Sequence, residues 1–216
     1  MKKKKLIILS IITISLLILL CLLYYFNLLP HKKYTNEFFG IKTYVSLIDK
    51  DNDGVDDQTD ILMNARNYIK THPKYKSKYY RSGYPDDSYG VCTDVVAFAF
   101  LDAGYDLREL VNEHINAYRN LYDIDVVDKN IDFRRVLNLK IYFDYNAISL
   151  TTDIHKIEEW QGGDIVVFKK HIGIVSDKRN RHGINFVIHH ASPFQKYYEE
   201  DILEHRNDII GHYRIS

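Results

Sequence analysis

The sequence predicts an α+β domain that follows an apolar helix of membrane-spanning length. Residues 6–29 carry no charge, residues 59–125 show helical apolar spacing, and residues 160–215 hold short β-rich runs separated by turn residues. The 216 residues have room for one ordinary domain with a small appendage. We expect a Lys cluster and apolar helix at 1–30, a stalk at 31–48, an acidic loop with its helix at 49–71, and the main domain at 72–216.

Composition excludes several classes of protein. With 46% apolar and 13% aromatic residues, the chain can bury a core, so it is not a disordered sequence. Four of its 29 basic residues are lysines 2–5, so the other 25 face 29 acidic residues. A mildly acidic body offers no basic patch for a nucleic-acid backbone. Two cysteines, Cys21 and Cys92, are too few for a disulfide scaffold. Nothing in the sequence indicates an oligomeric state.

The N-terminal run predicts a single-pass membrane anchor. A helix over residues 6–29 would reach about 36 Å, enough to cross a hydrocarbon core of about 30 Å. The preceding lysines should stay in the cytoplasm, which puts residues 31–216 on the outer side of the cell membrane. A cleaved signal peptide, giving a secreted protein, is the alternative. We favour the anchor because the apolar run is long and no small-x-small cleavage site is visible.

An acidic loop at residues 49–60 predicts a structural calcium site. Numbered from Asp49, its carboxylates occupy positions 1, 3, 5, 9 and 12, and a glycine occupies position 6, where calcium loops turn sharply. Oxygen ligands alone suit calcium better than zinc or copper. The expected ligands are the side chains of Asp49, Asp51, Asp53, Asp57 and Asp60 and the carbonyl of Val55. Position 12 holds Asp where EF-hands have Glu, and a solvated acidic turn is the alternative.

Cys92 is the candidate nucleophile. It is the only cysteine after residue 30, and an unpaired thiol outside the cell is exposed to oxidation unless it has a function. An apolar helical run follows it and stops at Gly104, so Cys92 should begin a buried helix. A helix N-terminus stabilises a thiolate, and we therefore expect a lowered pKa. The alternative is a buried cysteine that packs as a small hydrophobe.

Two histidines should meet on neighbouring strands. Runs at 165–168, 172–175 and 185–190 predict an antiparallel meander, with His171 opening one strand and His189 closing the next. A single Cys with a distant His and a polar orienting residue is the pattern of cysteine nucleophiles. Because strand residues alternate faces, His189 and His190 cannot both point at His171. We favour His189 and keep His190 as the alternative.

These motifs carry a resemblance to a known family. The Cys92 helix start, Gly-Asp-Ile-Val-x-Phe, His-Ile-Gly-Ile-Val and Ile-His-x-Ala-Ser resemble the NlpC-type papain-like peptidases of bacterial cell walls. More closely, the chain resembles an uncharacterised bacterial family of predicted papain-like amidases allied to them, over about residues 49–214. Two positions depart from that pattern: Phe133 stands in place of a His, and His189-His190 in place of a His-Asn pair.

The resemblance implies a papain-like fold, with a helical N-terminal part packed on an antiparallel sheet. It also implies that Cys92 attacks a carbonyl carbon, that His171 takes the thiol proton, and that His189 or His190 orients His171. The implied activity is hydrolysis of amide bonds, with cell-wall peptides as the substrate. Acyl transfer by the same Cys–His pair and a catalytically inactive wall- or protein-binding module are the alternatives.

Other polar residues are candidates for substrate binding. Arg134 and Arg135 could grip a free carboxylate, and Asp94, in the first turn of the Cys92 helix, could face the substrate. For the arginines the alternative is a structural Arg–Asp network, and for Asp94 it is interaction with the helix dipole. The C-terminal residues 212–214 are expected to finish an edge strand.

Overall fold

The computed structural model describes residues 2–215, which divide into two units, residues 2–32 and residues 33–215. The first unit contains helix α1, Lys2–Tyr25, whose residues are exposed apart from Leu23, which has intermediate exposure. The first four of its 24 residues are lysines and the others carry no charge, so the helix is long and apolar enough to span a membrane; a signal sequence near an N-terminus meets the same criteria. The predicted long apolar helix is therefore present.

The second unit is an α+β domain, as predicted. Its helices are α2 (Asp57–Lys70), α3 (Cys92–Leu101), α4 (Leu107–Ala117), α5 (Lys129–Asp132) and α6 (Val136–Asn146). Its strands are β1 (Lys74–Tyr75), β2 (Tyr89–Gly90), β3 (Ile148–Ser149), β4 (Ile165–Phe168), β5 (His171–Arg179), β6 (Asn185–Ile188), β7 (Glu199–Glu200) and β8 (Ile209–Arg214). Short 3₁₀ turns lie at Glu37–Phe39, Arg119–Leu121 and Leu203–His205. Helices thus continue to residue 146, beyond the expected limit at residue 125.

The main sheet has six antiparallel strands in the order β3-β8-β4-β5-β6-β7, and β1 and β2 form a separate parallel pair. The expected meander is β4-β5-β6, joined through a two-residue turn between Phe168 and His171. The prediction of an edge strand at residues 212–214 was wrong. Strand β8 lies inside the sheet, because the short strand β3 pairs with it on the side away from β4.

Residues 33–48, expected to form a stalk, belong to the second unit. Tyr34 exchanges two backbone hydrogen bonds with Arg179 at the end of β5, and the Arg179 guanidinium donates to the Asn36 side chain at 2.5 Å. Arg179 is fully buried, and its other donors reach carbonyl groups and the Asn185 amide oxygen. A buried guanidinium needs such acceptors. No pattern in the sequence indicates that this arginine holds the segment onto the sheet.

Helix α3 lies against the central strands and so positions the candidate nucleophile. It buries apolar side chains such as Val95, Val96 and Phe100 in one core with Ile172 and Ile174 of β5. A second core, around Trp160, Phe168 and Val187, includes other residues of β4, β5 and β6. The first residue of α3 is therefore held beside the first residues of β5.

Candidate active site

Cys92 is the first residue of α3 and is partly exposed. The backbone N–H groups of Ile172, Thr93 and Cys92 lie close enough to the sulfur to favour its thiolate form. Strand β6 pairs with β5 only from Ile174 onward, so β6 does not accept a hydrogen bond from the Ile172 N–H, which lies near the Cys92 sulfur. The nucleophile candidate therefore lies next to His171, the residue that precedes Ile172. No hydrogen bond joins the thiol to the His171 ring.

The expectation of a lowered Cys92 pKa was wrong. Burial raises the pKa of the thiol to about 11, although the three backbone N–H groups favour the thiolate. The loss of hydration destabilises the thiolate more than the three backbone N–H groups stabilise it, so the net effect is a raised pKa. The resting sulfur is therefore a neutral thiol, and a base has to remove its proton when it reacts.

The side chains of His171 and His189 are in contact, as the strand pattern predicts. Nε2 of His171 lies 2.9 Å from Nδ1 of His189, with the rings nearly perpendicular. Gly173 makes this approach possible, because a Cβ at residue 173 would lie 2.6 Å from Val187 and 3.2 Å from the His189 Cβ. Both histidines are buried. The pair has the arrangement of a base and the residue that orients it.

Glu200 contacts the His189 side of this pair, and no sequence pattern indicates that contact. Oε2 of Glu200 lies 3.1 Å from Nε2 of His189, and both side chains are buried. Strand β7 has only two residues, and Glu200 pairs there with Val187. Its neighbour Glu199 binds Lys33, Arg66 and Ser176 instead. A two-residue strand without apolar periodicity gives no signal from which this contact could be inferred.

Burial keeps the two histidines neutral. It lowers the pKa of His171 to about 3, with His189, Arg206 and His190 adding to the effect and Asp208 opposing it. Burial also lowers the pKa of His189. Arg206 and Asp208 form an ion pair at 2.7 Å, so their opposite charges offset each other beside the site. A neutral His171 has one nitrogen with a lone pair, which is what a general base requires.

His190 lies apart from the bonded pair. Its ring contacts Tyr75 and Tyr198, with centroid distances of 5.3 and 5.1 Å. Its Nδ1 is buried without a hydrogen-bond partner, and burial lowers its pKa to about 4. The structure therefore does not place His190 in contact with His171, and His189 is the histidine that makes this contact.

Asp94 and Arg134 bind each other, in contrast to the possibility that they face a substrate. Asp94 is fully buried, accepts two hydrogen bonds from the Arg134 guanidinium, and also accepts the Val91 N–H at 2.8 Å. The third arm of Arg134 donates to the Lys78 carbonyl. Arg135 is more than half exposed and lies 3.5 Å from Asp132. The structural Arg–Asp network is therefore the correct alternative for Arg134.

The acidic loop brings three of its predicted ligands together. Carboxylate oxygens of Asp49, Asp51 and Asp53 lie within 4.8 Å of one another. The loop coils tightly, with positive φ at Asn52 and at Gly54, the position-6 glycine. Positive φ at Gly54 costs little because glycine has no Cβ.

The remaining predicted ligands divide into two groups. Asp60 is 8% exposed, its Oδ2 has no hydrogen-bond partner, and burial together with Asp49, Asp51 and Asp53 raises its pKa to about 6. Asp57 instead accepts hydrogen bonds from the Lys50 N–H and the Tyr105 hydroxyl, so both its oxygens are engaged outside the cluster. The Val55 N–H donates to Asp53 at 2.8 Å.

These features define an α+β protein with a cysteine–histidine site and a helix that could span a membrane. The chain belongs to the family described as the domain of unknown function DUF1287, whose model matches residues 62–215. It is similar to the uncharacterized protein YijF of Escherichia coli (strain K12), with 34% identity over 151 residues, which are 66% of this chain and 72% of YijF. No solved structure matches the chain.

Proposed function

We propose that this protein is a membrane-anchored cysteine hydrolase that cleaves amide bonds outside the cytoplasm. The observation that carries the proposal is the position of Cys92, which starts a helix close to the backbone N–H of Ile172, the residue after His171, while His171 is hydrogen-bonded to His189. A thiol, an adjacent base and a third group that orients the base are the parts that nucleophilic catalysis needs.

The proposed reaction begins from the neutral pair. As the thiol turns toward His171, its proton passes to that imidazole and the sulfur attacks the carbonyl carbon of the amide. The backbone N–H of Cys92, at the start of α3, is a donor for the oxyanion that forms. His171 then protonates the leaving amine, and water releases the acid from the thioester while His171 again accepts and returns a proton.

Cell-wall peptides are the proposed substrate. Two arguments support this choice: the sequence resemblance to papain-like wall amidases, and the four lysines that begin α1, which favour an outward-facing C-terminal part.

The test uses the full-length protein in detergent and soluble peptides from purified bacterial peptidoglycan. Mass spectrometry should detect new amino and carboxyl termini with the wild type and with His155→Gln, which alters an exposed histidine outside the site. Cys92→Ala and His171→Gln should abolish cleavage while leaving the circular dichroism spectrum unchanged. Cleavage that survives Cys92→Ala would contradict the proposal.

The same reaction mixture distinguishes the two alternatives. If glycine amide added in excess captures the acyl group as a new amide, and little free acid forms, the protein is an acyltransferase. If the peptides bind but are neither cleaved nor transferred, and Cys92→Ala leaves binding unchanged, the domain is a binding module.

We also propose that residues 49–60 bind a structural calcium ion. Three clustered carboxylates and the buried, unpartnered Oδ2 of Asp60 support it, since an oxygen in that state normally has a partner. Asp49, Asp51, Asp53 and Asp60 would hold the ion, with the Val55 carbonyl as the position-7 ligand. Asp57, whose oxygens are engaged elsewhere, is left out of this set. The ion would neutralise the loop at the start of α2 and has no step in catalysis.

A further inference from the structure

We infer that Glu200 is a positioning residue that sets the tautomers of His189 and His171, so that the lone pair of His171 falls on Nδ1. The inference rests on the proposed function, because it assigns a role within that site. Glu200 follows His171 by 29 positions along the chain, yet a hydrogen bond and a close ionic contact connect them through His189. The chain of contacts determines where each proton can lie.

The first step concerns His189. A carboxylate has no proton to donate, so the contact of 3.1 Å between Glu200 Oε2 and His189 Nε2 favours a proton on that nitrogen. Because burial keeps His189 neutral, its other nitrogen, Nδ1, then carries a lone pair. Glu200 thereby selects one of the two neutral forms of His189.

The second step passes this choice to His171. The lone pair on His189 Nδ1 faces His171 Nε2 at 2.9 Å, so His171 Nε2 must supply the proton of that hydrogen bond. A neutral His171 protonated on Nε2 has its lone pair on Nδ1. That nitrogen has no other hydrogen-bond partner among the described residues, and it remains available to take the proton of Cys92.

The surroundings of Glu200 suit this role. The residue is 9% exposed, and its carboxylate also accepts the side-chain amide of Gln195 at 3.2 Å. The same amide nitrogen lies 3.2 Å from the His189 carbonyl oxygen and 3.4 Å from His189 Nε2, the nitrogen on which Glu200 favours the proton. Gln195 thus braces both members of the contact. When His171 becomes protonated during the reaction, the Glu200 charge at the far end of the chain stabilises the cation. Arg206 and Asp208, the other charged pair near the histidines, largely offset each other.

The test is ¹⁵N NMR of the full-length protein in detergent micelles, with histidine labelled and His171 and His189 assigned by single His→Gln variants. In the wild type we expect both rings to be protonated on Nε2 and unprotonated on Nδ1. In Glu200→Gln the amide can donate as well as accept, and His171 should show a mixture or the opposite tautomer. Glu199→Gln is the matched control: it makes the same change one residue earlier and should leave both rings as in the wild type.

The kinetic readout is cleavage of the peptidoglycan peptides. Glu200→Gln should lower kcat by a factor on the order of 10² or more with little change in KM, because loss of the correct tautomer is costly in cysteine- and serine-type sites. Glu199→Gln should change kcat less than threefold. A merely structural role for Glu200 would lower the melting temperature without moving the ¹⁵N shifts.

Failure of this inference and failure of the proposed function give different results. A wild-type His171 protonated on Nδ1, a wild-type His189 protonated on both nitrogens, or unchanged tautomers in Glu200→Gln would overturn the role of Glu200 even if peptides are cleaved. If both histidines show the expected tautomers but Cys92 does not react with the peptides, the role of Glu200 stands and the hydrolase proposal is contradicted.

Discussion

Arg134 holds both carboxylate oxygens of Asp94 in the interior, with Nε 2.6 Å from Oδ1 and Nη2 2.9 Å from Oδ2. Asp94 also accepts the backbone N–H of Val91, and Arg134 donates to the Lys78 carbonyl. One buried ion pair therefore connects the first turn of α3 to the residue before Cys92 and to the loop that leads to β2. It therefore holds the backbone around Cys92 in place.

Replacing Arg134 should destabilise the protein strongly. Arg134→Met leaves Asp94 charged and buried without its partner, and the expected loss in the free energy of unfolding is about 3–5 kcal/mol. Urea unfolding followed by tryptophan fluorescence would measure it. Arg135→Met is the control, because Arg135 is more than half exposed and should cost about 1 kcal/mol or less. Equal losses in the free energy of unfolding for the two variants would show that the buried Asp94–Arg134 pair contributes no more to stability than an exposed arginine does.

Alkylation of Cys92 should report its raised pKa. With a pKa of about 11, the thiolate fraction rises roughly tenfold for each pH unit between 7 and 10, and the rate with iodoacetamide should follow it. The measurement uses Cys21→Ser, in which Cys92 is the remaining thiol, and the double variant Cys21→Ser/Cys92→Ser as the background. A rate that is already maximal below pH 8 would mean that the backbone N–H groups outweigh burial and that the resting sulfur is a thiolate.

Calcium should stabilise the fold if the acidic loop binds it. Extracellular calcium modules bind with dissociation constants of about 10⁻⁴–10⁻³ M, so ~10 mM Ca²⁺ should add about 1–3 kcal/mol to the free energy of unfolding. Differential scanning calorimetry with and without chelator would detect the shift in Tm. Asp51→Asn should reduce it, whereas Asp125→Asn, an exposed change outside the loop, should not. The proposal fails if chelation leaves the Tm of the wild type unchanged.

Gly90, two residues before Cys92, should not tolerate a side chain. A Cβ at residue 90 would collide with the Tyr68 hydroxyl, which is buried without a hydrogen-bond partner. Gly90→Ala should therefore cost about 1–3 kcal/mol. Tyr68→Phe removes the clashing oxygen and leaves the ring carbon 3.4 Å away, so the double variant should recover most of the loss. Additive losses in this cycle would place the cost elsewhere, in the backbone of β2.

Local sequence pattern predicted much of the fold. The apolar run after Cys92 defines α3, and the turn residues between β-rich runs define β4, β5 and β6, since both signals lie within a dozen neighbouring residues. The position of β8 between β3 and β4 was beyond such reasoning. A strand's own residues specify its alternation of faces, but not which strands lie on its two sides.

Some contacts of the candidate site could be predicted from the sequence, and others could not. Strand alternation indicates that only one of His189 and His190 can face His171, and in the structure His189 makes the contact. The contact of Glu200 with His189 depends on a two-residue strand, and the pairing of Arg134 with Asp94 joins residues 40 positions apart. The sign of the Cys92 pKa shift was missed because it depends on how far the folded chain excludes water from the sulfur.

Gly173 links sheet geometry to chemistry. Its missing side chain lets the two imidazoles approach each other, and every larger residue at this position would press on Val187 and the His189 Cβ. In a relative that keeps both histidines but has a larger residue here, β5 and β6 should be pushed apart and the two rings should lose their hydrogen bond. The residue at position 173 therefore indicates, from sequence alone, whether this histidine contact can form.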